Sequence, residues 1–347
     1  MRFIKQTLYI SFICCLLFFI SYNVEGSGVG TSGSTMLKIG VGARSAGMGE
    51  ATVAATDDVT SIYWNPAGLV QVRSAQFSAM HIEWFDDIRY EWLGFAQPFS
   101  SRVTVAADVS YLYMGSIPRT IESASEEYEE DGTFSPVDIA GRLALSVEAL
   151  KGLLVGASFQ RIQSQVSFDK VTKVKISDKT AQSMAVDVGG IYYVPMIPGL
   201  SVGGCLQNLG GQTKGYISKK EAMPFALNLG MAYKTQMMTK KTLANANDNT
   251  VNTEKQPATK APLSALTIAF AVIFPSDDTI NAHLGLEYRF SNGMAFRGGY
   301  RTGTSFAFPS GMSGGIGYDS SSYQVDYAFV PYGDLGNTHR VSFTIHF

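Results

Sequence analysis

The segment His339-Arg-Val-Ser-Phe-Thr-Ile-His-Phe347 constrains this chain more than any other. Val341, Phe343, Ile345 and Phe347 alternate with Arg340, Ser342, Thr344 and His346. A period of two places the four apolar side chains on one face of a strand and the polar ones on the other. Such a strand fits a half-buried sheet in water or a wall with lipid on one side. A bare aromatic in the last position favours the second.

A closing strand that ends in Phe resembles the C-terminal strand of bacterial outer-membrane barrels. The other end of the chain agrees with that reading. Arg2 and Lys5 precede an apolar run from Leu8 to Ile20, and Val24-Glu25-Gly26 supplies small residues where a signal peptidase cuts. Residues 1–26 are therefore expected to be a secretory signal peptide, too short to serve as a comfortable membrane anchor. Its removal takes Cys14 and Cys15 with it and leaves Cys205, which cannot form an internal disulfide.

Charged residues make up only 16% of the 347, and the formal charge is −2. That balance argues against a nucleic-acid partner, which calls for a basic patch. Beyond the leader no stretch offers eighteen unbroken apolar residues, so helical membrane spans are not expected. The run from Leu263 to Phe274 is broken by Ser264 and Thr267 and bracketed by Pro262 and Pro275, and reads as a strand. A membrane protein without membrane helices must be a closed barrel, because lipid leaves an open sheet edge unpaired.

From Gln76 onward, short alternating runs are divided by Gly, Pro, Ser, Asn and Asp. About fourteen strands can be counted, most near the roughly 9–11 residues that a tilted membrane strand needs. Val103, Val105, Val109, Tyr111 and Tyr113 share a face opposite Thr104, Asp108 and Ser110. Met294, Phe296 and Tyr300 likewise oppose Arg297 and Arg301. Tyr and Phe at strand ends suggest an aromatic girdle, with the opposing charges lining a lumen. Connections alternate in length: those near Ser100-Ser101, Lys151, Pro195–Gly199, Asn292-Gly293 and Ser320–Ser322 are short, whereas 114–135, 163–182 and 209–223 are long. Short turns belong to the periplasmic rim. The expected fold is thus an all-β transmembrane antiparallel barrel over 73–347, embedded in outer-membrane lipid of a Gram-negative-type bacterium after delivery by a barrel-assembly machinery. Val341, Phe343, Ile345 and Phe347 would provide barrel closure and the assembly signal. One connection breaks the alternation: 235–262, rich in Asn, Thr and Lys, is expected to be a disordered polar insertion on the periplasmic side.

Ahead of the barrel lies the segment 27–72, of which residues 36–72 do not read as strand. Gly40, Gly42, Gly47 and Gly49 punctuate it, Asp57-Asp58 precede Val59–Trp64, and Asn65-Pro66 end any helix there. Asp57 is the expected helix N-cap, and Gly68 the turn residue that follows. Ser45 stands where a dinucleotide fingerprint needs its third glycine. The segment is expected to fold inside the barrel as a plug built around Gly47, Gly49, Asp57, Asp58, Trp64, Asn65 and Pro66.

Two passages carry a family resemblance. Gly42-Ala-Arg-Ser-Ala-Gly-Met-Gly-Glu-Ala51, with Ala55-Thr-Asp-Asp-Val-Thr-Ser-Ile-Tyr-Trp-Asn-Pro-Ala-Gly-Leu69, resembles the N-terminal signature of the PorV/PorQ family. Asp326-Tyr-Ala-Phe-Val-Pro-Tyr-Gly-Asp-Leu-Gly-Asn-Thr-His-Arg340 resembles its C-terminal signature. The resemblance implies a fourteen-stranded barrel similar to the FadL fatty-acid transporter, with an N-terminal lumen segment. PorV-type members serve type IX secretion, taking cargo from the translocon to the surface-attachment machinery. It therefore implies a non-enzymatic export accessory with a secretion translocon and exported cargo proteins as partners. The alternative is FadL-like transport of hydrophobic small molecules.

The residues offer no catalytic, cofactor or metal site to set against this. His81, His283, His339 and His346 are scattered, no Gly-x-Ser-x-Gly elbow occurs, and Glu126–Asp131 lacks the Asp and Gly spacing of a calcium loop. No enzyme activity and no cofactor are expected.

Overall fold

A computed structural model describes residues 32–86, 88–122, 128–172, 179–210, 213–214, 220–237, 264–303 and 311–347. The leader and nearly all of the 235–262 insertion lie outside the described residues. Fourteen strands form the wall: β1 Gln76–Glu83, β2 Arg89–Ser100, β3 Val103–Tyr113, β4 Tyr128–Leu150, β5 Leu153–Asp169, β6 Lys179–Tyr193, β7 Leu200–Gly210, β8 Ala226–Met237, β9 Ser264–Pro275, β10 Asn281–Arg289, β11 Met294–Arg301, β12 Met312–Asp319, β13 Tyr323–Pro331 and β14 Asn337–His346. Three short strands, Ile117–Glu122, Thr213–Lys214 and Lys220–Glu221, pair along their outer ends.

Every wall strand is antiparallel to its neighbours, and β14 closes on β1 with Val341 opposite His81, Phe343 opposite Ala79 and Ile345 opposite Phe77. Closure leaves no lipid-facing edge in the wall, so every backbone polar group of a spanning strand has a partner across the sheet. No described helix is long and apolar enough to cross a membrane.

The alternation of β14 sorts its side chains as the period of two requires. Thr338, Arg340, Ser342 and Thr344 are buried toward the lumen, whereas Val341 and Phe343 face out. Outward-facing Leu143, Phe159, Leu286, Phe296 and Ile316 continue the apolar belt around the barrel. Aromatic rings collect at its margins. Tyr318, Tyr323 and Phe343 stack near the turn rim, and Tyr111 lies 5.2 Å from Tyr113 at the opposite end. An apolar belt between two aromatic margins is how a barrel matches a bilayer.

One feature differs from the expected layout. The long connections 114–135 and 163–182 are in part strand, since β4 runs for 23 residues and β5 for 17. A tilted strand needs roughly 9–11 residues to span the bilayer, so these two continue well past the belt. Their pairing from Pro136 opposite Val166 to Thr133 opposite Asp169 holds the extension together. The segment ahead of the wall runs in one direction. Strand β1 starts at the turn rim, yet Ser32 lies at the other one: Gly33 donates its N–H to Ala222 O at 2.9 Å, in the β7–β8 connection. Residues 32–75 therefore cross the lumen from the long-loop rim to the turn rim before the first strand begins. The 235–262 insertion joins β8 to β9, whose paired ends Met237 and Ser264 sit at the turn rim.

Candidate functional site

The candidate site is the lumen itself, filled by residues 32–75. Helix α1 (Ala43–Gly47) packs on β11 to β14, and a 3-10 turn (Pro66–Gln71) packs on β3 to β6. Between them lies α2 (Ser61–Trp64). The N-cap of this helix is Thr60 rather than Asp57, and no side chain caps it: Asp58 Oδ1 accepts from Thr60 N at 2.9 Å, ahead of the first turn, while Asp57 pairs with Arg44. Asn65 ends α2 and starts the next turn. Its backbone is extended, its Oδ1 accepts from Ala67 N at 3.2 Å, and Pro66 takes the first helical position, where a missing N–H does no harm. The amide of Asn65 also donates to Val53 O at 2.8 Å, so one fully buried side chain satisfies two turns of plug backbone. Gly68 lies within the 3-10 turn rather than in a separate one.

Close approach to the wall depends on small residues there. A Cβ on Gly285 would fall 2.5 Å from Met48 O, and one on Gly203 would fall 2.9 Å from Val53 O. A Cβ on Gly299 would overlap the backbone of Gly49, which is itself at φ +62° with its N–H donated to Ser313 Oγ. The left-handed backbone and the contact with the wall both require glycine at 49.

Against β10 to β14 the plug is held by ions. Arg44 grips Glu287 with two parallel bonds, Nε to Oε2 at 2.9 Å and Nη2 to Oε1 at 3.0 Å. Its Nη1 reaches Asp57 at 2.5 Å and Asp58 at 3.1 Å. Glu287 also accepts from Arg297 Nε at 2.7 Å, and Arg297 pairs with Asp326 at 2.8 Å. One turn higher, Glu50 accepts from Arg301 at 2.9 Å and Arg340 at 3.1 Å. Both arginines also meet Tyr332 of the β13–β14 loop: Arg301 lies 5.3 Å from its ring centre and Arg340 donates to its hydroxyl at 3.1 Å. Burial by itself would raise the Glu50 carboxyl, but Arg301 and Arg340 outweigh it and hold it at about 2. Asp57 is held well below the usual carboxylate range in the same way: burial would raise it, and Arg44 and Lys234 more than offset that.

Against β1 to β6 the lumen is mostly apolar. Met36, Leu37, Val41, Ile62, Trp64, Leu69 and Val72 of the plug join Met80, Ile82, Tyr90, Trp92, Ala106, Ala140 and Ile162 of the wall in one cluster. At the long-loop rim Trp84 and Ile88 pack onto it, and Trp84 sits 5.7 Å from Tyr332. Two of its polar groups are satisfied locally. Trp64 Nε1 donates to Val41 O at 2.9 Å, and Tyr63 donates to Leu37 O at 2.8 Å. One charged group interrupts the cluster: Arg142 donates to Ile62 O at 3.2 Å and to Gln160 Oε1 at 2.7 Å, with Asp108 and Asp187 at 3.6 and 3.7 Å.

Of the plug residues singled out from the sequence, the structure gathers Gly47, Gly49, Asp57 and Asp58 near the ionic wall, with Trp64 in the apolar cluster and Asn65 and Pro66 behind it. Sequence reading passed over Arg44, Glu50, Glu287 and Arg340 as plug anchors. Their signal was present, since charges recur on lumen faces, but which charge meets which depends on how strands lie around the ring. Among the described residues no cluster of three His, Cys, Asp or Glu side chains is placed to hold a metal. A cleft of about 230 Å³ opens at the turn rim between Gln71, Arg73, Glu148 and Tyr193.

The sequence matches the model of an uncharacterised protein family, UPF0164, over residues 22–300. The chain belongs to that family. No curated protein matches it. Among solved structures it is similar to the toluene transporter TbuX of Ralstonia pickettii, at 13% identity over 89% of this chain and 98% of that one, with a TM-score of 0.55. The toluene transporter TodX of Pseudomonas putida aligns over 88% of this chain and 96% of its own, at 11% identity and a TM-score of 0.52. A Pseudomonas aeruginosa FadL homologue aligns over 94% of this chain and all of its own, at 10% identity and 0.47. At these identities the likeness is one of fold. That fold is the outer-membrane β-barrel of Gram-negative bacteria, shared with TbuX and TodX, and the lipid-matched belt fits it.

Proposed function

We propose that this barrel passes small hydrophobic molecules across the outer membrane. The observation that carries the reading is the continuous apolar cluster from Trp84 and Ile88 at the long-loop rim to Leu69 and Val72 near the turn rim. Apolar contacts are non-directional, so a hydrophobic passenger can replace them as it moves between plug and wall. The ion pairs on the opposite side are directional and keep the plug attached meanwhile. That TbuX and TodX carry toluene supports the same substrate class. The protein does this without catalysis: its side chains bind and guide, and no reacting group is needed.

The test is uptake of a radiolabelled neutral aromatic hydrocarbon by cells lacking the gene and by cells expressing it. Expression is expected to raise the initial rate severalfold, and Val41→Asp, which places a charge in the apolar half, is expected to abolish the gain. Equal rates with and without the protein would refute the reading.

The terminal signatures that resemble PorV/PorQ support a second reading, an export accessory that hands cargo from a secretion translocon to the cell surface. The extension of β4 and β5 beyond the belt gives such partners a place to dock. Deleting the gene in an organism with a working type IX system would then deplete surface proteins, and an unchanged surface profile would dismiss it. In either role the last strand is proposed to be the assembly signal. Deleting Phe347 is expected to lower the amount of heat-modifiable barrel while export across the inner membrane continues.

A further inference from the structure

The direction of the plug has a topological consequence. Ser32 and Gly33 lie at the rim of the long connections, where Gly33 bonds to Ala222 between β7 and β8. Ser34 meets Ser183 at 3.0 Å, near the outer start of β6. The Asp277 carboxylate in the β9–β10 connection receives both the Ser32 hydroxyl and the Lys38 ammonium, the latter at 2.6 Å. Four independent contacts thus fix residues 32–38 to three outer elements. At its other end the segment reaches the turn rim, where Phe347 N donates to Ala75 O at 2.9 Å and Tyr193 donates to Gln71. Short turns mark the periplasmic side and long connections the cell exterior.

We infer that the plug enters the barrel from the cell-surface end, so that the chain opens to the exterior at Ser32. The outer end of the plug, Ser32 to Lys38, is then a surface feature rather than a periplasmic one. It also gives a partner outside the cell a direct grip on the plug. Lys38 lies six residues before Arg44 and twelve before Glu50, the two residues that tie the plug to the charged wall. The inference rests on chain direction alone and holds under either proposed function.

Single cysteines test it. Thr35→Cys places a thiol on an exposed residue of the outer segment, and Lys151→Cys places one in the exposed β4–β5 turn at the opposite rim. The parent chain is the blank, because Cys205 is buried at 1% exposure. Intact cells are treated with a membrane-impermeant maleimide, and heat-modifiability confirms that each variant is folded. Thr35→Cys is expected to react at least tenfold more than the blank in intact cells, and Lys151→Cys only after the outer membrane is permeabilised. A folded Thr35→Cys protein that labels in denaturant but not in intact cells would overturn the inference, as would the reverse pattern.

Discussion

The plug lies between two unlike walls. Toward β10 to β14 its Arg44 grips Glu287 through two parallel hydrogen bonds, and its Glu50 accepts from Arg301 and Arg340. Toward β1 to β6 it meets aromatic and aliphatic side chains, whose attraction follows buried area and depends little on angle. One side therefore fixes where the plug sits, and the other can exchange partners without losing much free energy. A buried ion pair is a poor source of net stability but is costly to break on one side only. That asymmetry makes the ionic wall a positional lock.

The largest effect is expected from Arg44→Ala, which leaves Glu287, Asp57 and Asp58 without their shared guanidinium. Removing one partner of a buried pair costs roughly 3–5 kcal/mol. Protease access to the plug, followed against urea in detergent-solubilised barrel, should show it loosening at much lower denaturant. Resistance equal to that of the parent would mean that the apolar wall alone holds the plug. Trp64→Ala probes that wall and should cost about 3 kcal/mol through lost burial and the space left behind. The comparison sharpens if this loss is the same at pH 7 and pH 4, since no ionising group is removed.

Acid should separate the halves next. Glu50 is held at about 2, so its contribution is complete above the ordinary carboxylate range near 4.5 and is lost as pH falls toward 2. Between those values the contacts around Arg301 and Arg340 should weaken while the Trp64 side stays protected, which hydrogen exchange can read segment by segment. Glu50→Gln should cost about 2 kcal/mol at pH 7 and flatten the dependence. Uniform loss of protection across both halves would break the comparison. The smallest change is expected from Lys234→Ala. Lys234 pairs with Asp57 at 3.0 Å, but its side chain is 53% exposed, and such pairs are worth about 1 kcal/mol or less.

The alternation of β14, the aromatic strand ends and the uneven connections carried the barrel, its strand number and its lipid face in the sequence alone. These are local signals: a period of two needs only neighbouring residues to be read, and a membrane offers strands no solution but closure. The same signals placed Asp108, Arg297, Arg301 and Arg340 on lumen faces. They also marked the outer loops too generously, because β4 and β5 go on pairing with each other after they have left the membrane, where alternation loses its apolar contrast. The N-cap of α2 was misplaced for a different reason. The carboxylates of Asp57 and Asp58 both turn to Arg44, and Thr60 takes the N-cap position of α2.

What the tertiary structure alone decided is which charge answers which, and which way the plug runs. Arg44 and Glu287 are 243 residues apart, and Glu50 and Arg340 are 290 apart. Such meetings are set by closure of the ring, which joins strands regardless of their distance along the chain. Direction was hidden for the same reason. A segment without strand period can enter a lumen from either end, and only its bonds to Ala222 and Asp277 at one rim and to Phe347 at the other fix its course.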